Sequence, residues 1–343
     1  MPQIPGKLDV EQKYNDDYRG WPVAPRHEQH PIRGSFLDPR PHPDFGALYH
    51  DGVDIGVRDD EPERGAPKGC THRVYAIEGG TVILATPRGS RGFARIGHFG
   101  YGHIDPLVAT GDTVKPGQHI GWTCTGYWHL HLREFVSREG GELSIVNPLR
   151  RGGKLHPFVD TTAPNIEEIR LYTPATPDWN RRPNTHVARL PPAGRRLKRD
   201  ALFGRVDVRV RVNDPQSFVG WFREVPRLAA PHHPFRLAVS ITSLPGGRVV
   251  RRREVFRAER LPDIDPGRHF APGTEQNLPA RGCLRAPLSI RCDGVYWFRL
   301  FPLRFWDTTG LPDGRYRLRV SAWDVVGNVS RANVDVRIVN GEV

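Results

Sequence analysis

Between residues 50 and 131 the chain carries five side chains whose types and spacing belong to metal chemistry: His50 and Asp54, then His103, then His129 and His131. In His50-Asp51-Gly52-Val53-Asp54 an imidazole and a carboxylate stand four residues apart around a glycine. The apolar Val53 and Ile55 alternate with polar neighbours there, which reads as a strand edge rather than a helix. In His129-Leu130-His131 the imidazoles are two residues apart, so on a strand they leave one face while Leu130 turns into the core. Zinc accepts histidine nitrogen and aspartate oxygen, and a catalytic zinc takes three protein ligands and keeps a fourth position for water. Five candidates exceed that need by two, and the two spare imidazoles suit acid–base work or stabilisation of a developing oxyanion. No His-Glu-x-x-His segment occurs, which leaves the acid–base role to histidine. His72, His98 and His119 share the stretch and read as surface or packing residues; His98 is the one most easily mistaken for His103.

The segments around these residues resemble a known family. Thr71 to Leu84 (THRVYAIEGGTVIL), Tyr101-Gly102-His103, Gly111 to Trp122 (GDTVKPGQHIGW) and His129-Leu130-His131 follow one another in order. Pro31 to Phe36 (PIRGSF) and His50 to Ile55 (HDGVDI) stand upstream. Together they are similar to the LytM/lysostaphin-type zinc metallopeptidases over about residues 21–150. The resemblance implies His50, Asp54 and His131 as ligands of one zinc ion, and His103 and His129 as the catalytic histidines. It also implies a compact, mostly antiparallel β domain with its site in a groove, and hydrolysis of peptide bonds in bacterial peptidoglycan. Two departures bear on specificity. Only Gly126, Tyr127 and Trp128 separate Thr125 from His129, where the family has a longer loop, and Arg91 to Tyr101 is short for the hairpin before the catalytic histidine. The alternative in a different class is a catalytically inactive LytM-like module that binds the wall or regulates. Ala109 to Gln118 also resembles the turn of biotinyl and lipoyl carriers, yet Lys115 lies beside Pro116 in a plain turn.

The elements that must hold these residues are expected to be strands. The chain's 343 residues suffice for two cores, and 33 prolines with 36 glycines favour turns and β structure over long helices. The expected class is all-β, organised as a tail (1–20), a metallopeptidase-like domain (21–150), a basic linker (151–159) and a β-sandwich with long insertions (160–343). The sandwich rests on alternation in Ile166 to Tyr172, Val206 to Val212, Phe235 to Ile241, Tyr316 to Val320 and Val334 to Ile338. Its opening Asp160-Thr161-Thr162-Ala163-Pro164 and its closing Leu311 to Asn328 (LPDGRYRLRVSAWDVVGN) look like bacterial immunoglobulin-like or fibronectin-like domains. In it, His232-His233 reads as an exposed loop, and Trp297, Trp306 and Trp323 as core. Residues 173–200 and 258–294 read as decorations that pack on the first domain. Cys70 with Cys124, and Cys283 with Cys292, are compatible with disulfides in an oxidising compartment. The formal charge of +12 favours polyanionic partners, and anionic cell-wall polymers fit better than nucleic acid, for which no binding signature is present. Met1 to Lys7 hold no apolar leader core and no run reaches transmembrane length, so an extracellular or wall-associated location is implied by the resemblance alone.

Overall fold

The computed structural model describes residues 20–42, 46–57, 62–87, 92–124, 129–138, 141–156, 158–174, 194–217, 231–274, 294–301 and 305–341. Among them the regular structure is nearly all β, in antiparallel sheets, with a single 3-10 turn at Pro266–Arg268. No helix among the described residues is long and apolar enough to cross a membrane.

Residues 32–146 build an eight-stranded sheet ordered Ile32–Gly34, Val53–Gly56, His129–Ser137, Phe99–Gly102, Phe93–Ile96, Gly80–Thr86 and Thr113–Val114, with Leu143–Val146 also paired to His129–Ser137. The segment expected at a strand edge is interior. Val53–Gly56 lies between Ile32–Gly34 and His129–Leu132, and all four of its residues are buried, because both polar and apolar side chains find cover on a strand paired on both sides. Leu130 is fully buried, as the two-residue period requires. A three-stranded sheet of Cys70–Tyr75, His119–Cys124 and Ile104–Pro106 stands beside the first, and Cys70 and Cys124 are joined by a disulfide. Cys283, Cys292 and the segment from Thr125 to Trp128 lie outside the described residues.

The second half forms two four-stranded sheets. One contains Asn165–Tyr172, Arg205–Asn213, Trp297–Arg299 and Trp306–Asp307; the other runs Val249–Arg257, Arg236–Leu244, Gly314–Trp323 and Val329–Ile338. Val206, Val208, Val210 and Val212 are all fully buried, but so is the alternate face at Asp207 and Arg209. The Asp207 carboxylate accepts from Arg209 at 2.9 Å and from Arg299 at 2.7 Å, so a compensated charge takes a place that alternation assigns to solvent. Trp297 and Trp306 are buried, while Trp323 is half-buried under the Arg236 guanidinium.

The halves meet through specific polar contacts. Gln216 donates to the Ile32 carbonyl and accepts from the Ile32 amide, both at 2.8 Å. Asn147 donates to the Ala258 carbonyl, and the Leu261 amide donates to Ile145. The described part of the irregular stretch 258–274 therefore packs on the first half. His232 and His233 are not an exposed loop: both are buried at this junction. The His232 backbone exchanges two hydrogen bonds with Asp214, and His233 Nε2 lies 3.0 Å from the Phe36 carbonyl. The cover over His233 comes from Phe256, Phe270, Tyr296 and Phe298, distant along the second half of the chain, which local sequence does not report.

Candidate metal centre

Each member of the cluster is delivered by a different structural constraint. His50 follows the strand Gly46–Tyr49, and its backbone exchanges bonds with the turn at residues 37–38: the Leu37 amide donates to His50, and the His50 amide to Asp38. Asp54 and His131 face each other in register on adjacent strands, Asp54 opposite His131 and Ile55 opposite Leu130. Two residues along the same strand, His129 emerges on the same side. His103 sits just after Phe99–Gly102 with φ of 64°, a left-handed backbone rare for a non-glycine residue.

Three ligand atoms converge. His50 Nε2 lies 2.9 Å from His131 Nδ1 and 3.0 Å from Asp54 Oδ1, and His131 Nδ1 lies 3.0 Å from the same Asp54 oxygen. Ligands of a tetrahedral zinc at about 2.0–2.1 Å stand roughly 3.3 Å apart, so this triangle needs to open by only a few tenths of an ångström. The tautomers agree with that use. The Ser35 carbonyl, 2.8 Å from His50 Nδ1, can only accept, so Nδ1 carries the hydrogen and Nε2 offers its lone pair to the centre. On His131 the Asp51 carboxylate stands 3.2 Å from Nε2, which leaves Nδ1 facing inward. Each places a partner at the far nitrogen of a ligand imidazole, by a hydrogen bond at His50 and by a close charge contact at His131.

The electrostatics are those of a buried anion among imidazoles. Burial alone would raise the Asp54 carboxyl; His129, His50 and the Arg40 guanidinium, 2.8 Å from Oδ2, outweigh it and hold Asp54 well below the usual carboxylate range. Burial alone would depress His131, but Asp51 and Asp54 override it and raise this imidazole above its ordinary value. His50 is lowered, chiefly by burial. His103 is pushed down to about 3 by burial and by the neighbouring His129 and His131, so it is neutral at physiological pH.

His103 and His129 flank the three ligands. Their ring centroids are 4.9 Å apart at nearly a right angle, His103 is 5.8 Å from His131, and His129 Nε2 is 3.3 Å from Asp54 Oδ1. All five residues singled out from the sequence therefore stand in one cluster. Two glycines make the approach possible: a Cβ at Gly34 would fall 2.3 Å from Asp54 Oδ2, and one at Gly52 would fall 2.4 Å from the Leu132 carbonyl and 2.9 Å from the His131 ring. The other histidines of the stretch stand apart from it. His72 is buried in the three-stranded sheet, His98 lies against Glu78, and His119 packs edge-on to Trp122. Cys70, Cys124 and Asp105 also lie together, but the two sulfurs are joined to each other.

Sequence reading missed the supports. Asp51 adjoins His50 in sequence yet serves His131, and it is itself held by Arg133 at 2.9 Å. Its signal was an extra carboxylate inside the His-x-x-x-Asp segment. Arg40 and the Ser35 carbonyl gave none, since neither has a spacing that marks it. Comparison with protein-family models, with curated proteins and with solved structures finds no match to this chain.

Proposed function

We propose that the protein is a zinc-dependent endopeptidase that hydrolyses peptide bonds of bacterial peptidoglycan. The observation that carries this reading is the meeting of His50 Nε2, Asp54 Oδ1 and His131 Nδ1 within 3.0 Å of one another, with two further imidazoles beside them. Two nitrogens and one carboxylate oxygen are a zinc donor set that leaves a position for water. Bound there, zinc supplies a Lewis acid and lowers the pKa of coordinated water to about 7. His103, whose ring stands beside His129 and His131, is placed to accept a proton from the attacking water and to return it to the leaving amine. His129, held beside Asp54, donates to the oxyanion that forms at the scissile carbonyl. The substrate class comes from the resemblance to LytM-type enzymes, as does a location outside the cell. The same reading takes the second half as an immunoglobulin-like β-sandwich that positions the enzyme, and the charge of +12 suits anionic wall polymers.

The test is release of new amino termini from purified peptidoglycan, with zinc content determined on the same samples. Wild-type protein is expected to show chelator-sensitive release. His131→Ala should lose zinc and activity together, whereas His103→Ala should keep zinc and lose at least 100-fold in kcat, the usual scale of a general acid–base group. Bound zinc with no release from any wall type would overturn the enzyme reading and leave a binding or regulatory module.

A further inference from the structure

A second cluster of metal-ligating groups lies far along the chain from the histidines. Asp160, Asp214 and Asp324 each bring one carboxylate oxygen to within 4.8 Å of the others. They come from three separate places: the segment that leads into the second half, the end of the strand Arg205–Asn213, and the turn after Gly314–Trp323. Two of the three are held by donors on one side. Asp160 Oδ1 accepts from the Thr162 amide at 2.9 Å and from Ser217 Oγ at 2.8 Å. Asp324 Oδ1 accepts from the amides of Gly327 and Asn328 at 2.6 and 2.8 Å, and Asn328 Nδ2 bridges Asp324 Oδ2 and the Asp160 carbonyl.

Asp214 is different. It is only 9% exposed, and its Oδ1 is shut off from solvent without a hydrogen-bond donor. Burying an acceptor unsatisfied is costly, and native structures rarely do so without a reason. The charges acting on Asp214 are those of Asp160 and Asp324, both repulsive, and with burial they hold its carboxyl well above the usual range. Asp160 and Asp214 also line one cavity of about 50 Å³ at the junction of the two halves. Preorganised oxygens, an unsatisfied buried carboxylate and room beside it are the features of a cation site. With no nitrogen or sulfur donor in the set, the cation is a hard one.

We propose that Asp160, Asp214 and Asp324 bind a calcium ion. Calcium takes six to eight oxygens at about 2.3–2.6 Å and tolerates an irregular shell completed by water, which suits three carboxylates converging from three loops better than the strict octahedron of magnesium. The ion fastens the segment between the halves to the end of one strand and to the turn of another. The neighbouring Gln216 and Ser217 extend that fastening to Ile32 and Thr161.

The experiment uses the full chain saturated with zinc, so that the histidine centre is filled. Terbium is the probe, excited through tryptophan, Trp323 being next to Asp324 in sequence. Saturable terbium emission is expected, displaced by calcium with a dissociation constant on the order of 10⁻⁴ M and much less readily by magnesium. Asp214→Asn should weaken calcium binding at least tenfold, and calcium should raise the melting temperature of wild-type protein while leaving the variant unmoved. If Asp214→Asn fails to fold, Asp160→Asn replaces it with the same expected loss. The proposal is overturned if millimolar calcium neither displaces terbium nor shifts melting, or if both effects survive the substitutions. It is equally overturned if acidification stabilises the wild type and calcium does not, since the carboxylates would then be sharing protons.

Discussion

At the scale of single residues, the candidate metal centre depends on groups outside its ligand triad. Asp51 faces the far nitrogen of His131, and removal of such an orienting carboxylate typically costs 10- to 100-fold in metal affinity. Asp51→Asn is therefore expected to weaken zinc binding by that factor, read by competition with a chromogenic chelator; unchanged affinity would show that His131 is oriented without it. The raised pKa of His131 has a sign that can be tested as well. Without metal this imidazole holds its proton to higher pH than an ordinary histidine, and zinc must displace that proton. Zinc affinity should fall as pH is lowered through the raised pKa, and uptake at about pH 7 should release protons. Calorimetry in two buffers of different ionisation enthalpy measures this, and a buffer-independent heat would contradict it. The members of the cluster were legible in the sequence because their chemistry is written in residue type and local spacing. Asp51 and the Ser35 carbonyl were not, because what each does is decided by the strand or turn that folds against it.

At the scale of elements, the site is a matter of register. Asp54 meets His131 because Val53–Gly56 lies against His129–Leu132 with Ile55 opposite Leu130, and a slip of one residue between these strands would turn Asp54 to the face away from His131. Gly52 guards that register, since any side chain there would press on the Leu132 backbone and the His131 ring. Gly52→Ala should destabilise the fold by about 1–3 kcal/mol, the usual cost of overpacking, and lower zinc affinity at least tenfold. Gly310→Ala, where an added methyl meets nothing within 4 Å, is the matched control for denaturant titration. Alternation located the long strands of the second half except Val249–Arg257, whose run of arginines breaks the apolar pattern, and the chain's turn-rich composition foretold an all-β molecule. The same alternation misjudged two positions. Val53–Gly56 is interior because the strand Ile32–Gly34 closes its other side, and Asp207 is buried because Arg209 and Arg299 neutralise it. Pairing partners distant in sequence decide both outcomes.

At the scale of the whole molecule, the two halves share one buried apolar cluster and a set of polar ties, several of which reach the turn that carries His50. Tyr296 donates to Asp38 at 3.1 Å, His233 reaches the Phe36 carbonyl, and Tyr49 lies 2.6 Å from His269 Nδ1. The second half is thus a wall of the metal centre's foundation, and the protein is expected to unfold in one calorimetric transition. Two well-separated transitions would show the halves to be independent. The disulfide carries a consequence of its own. Cys124 is bonded to Cys70, and its amide donates to the carbonyl of His103 at 3.2 Å, whereas Asp54 and His131 belong to the other sheet and His50 follows the strand Gly46–Tyr49. The thiol state of the surroundings then acts on His103, the proposed acid–base imidazole, and spares the proposed metal ligands. On the proposed reading, a Cys70→Ser/Cys124→Ser protein should keep its zinc while losing turnover, measured as metal content and amino-terminus release on one sample, so that a chain made under reducing conditions would be loaded but idle until it met an oxidant.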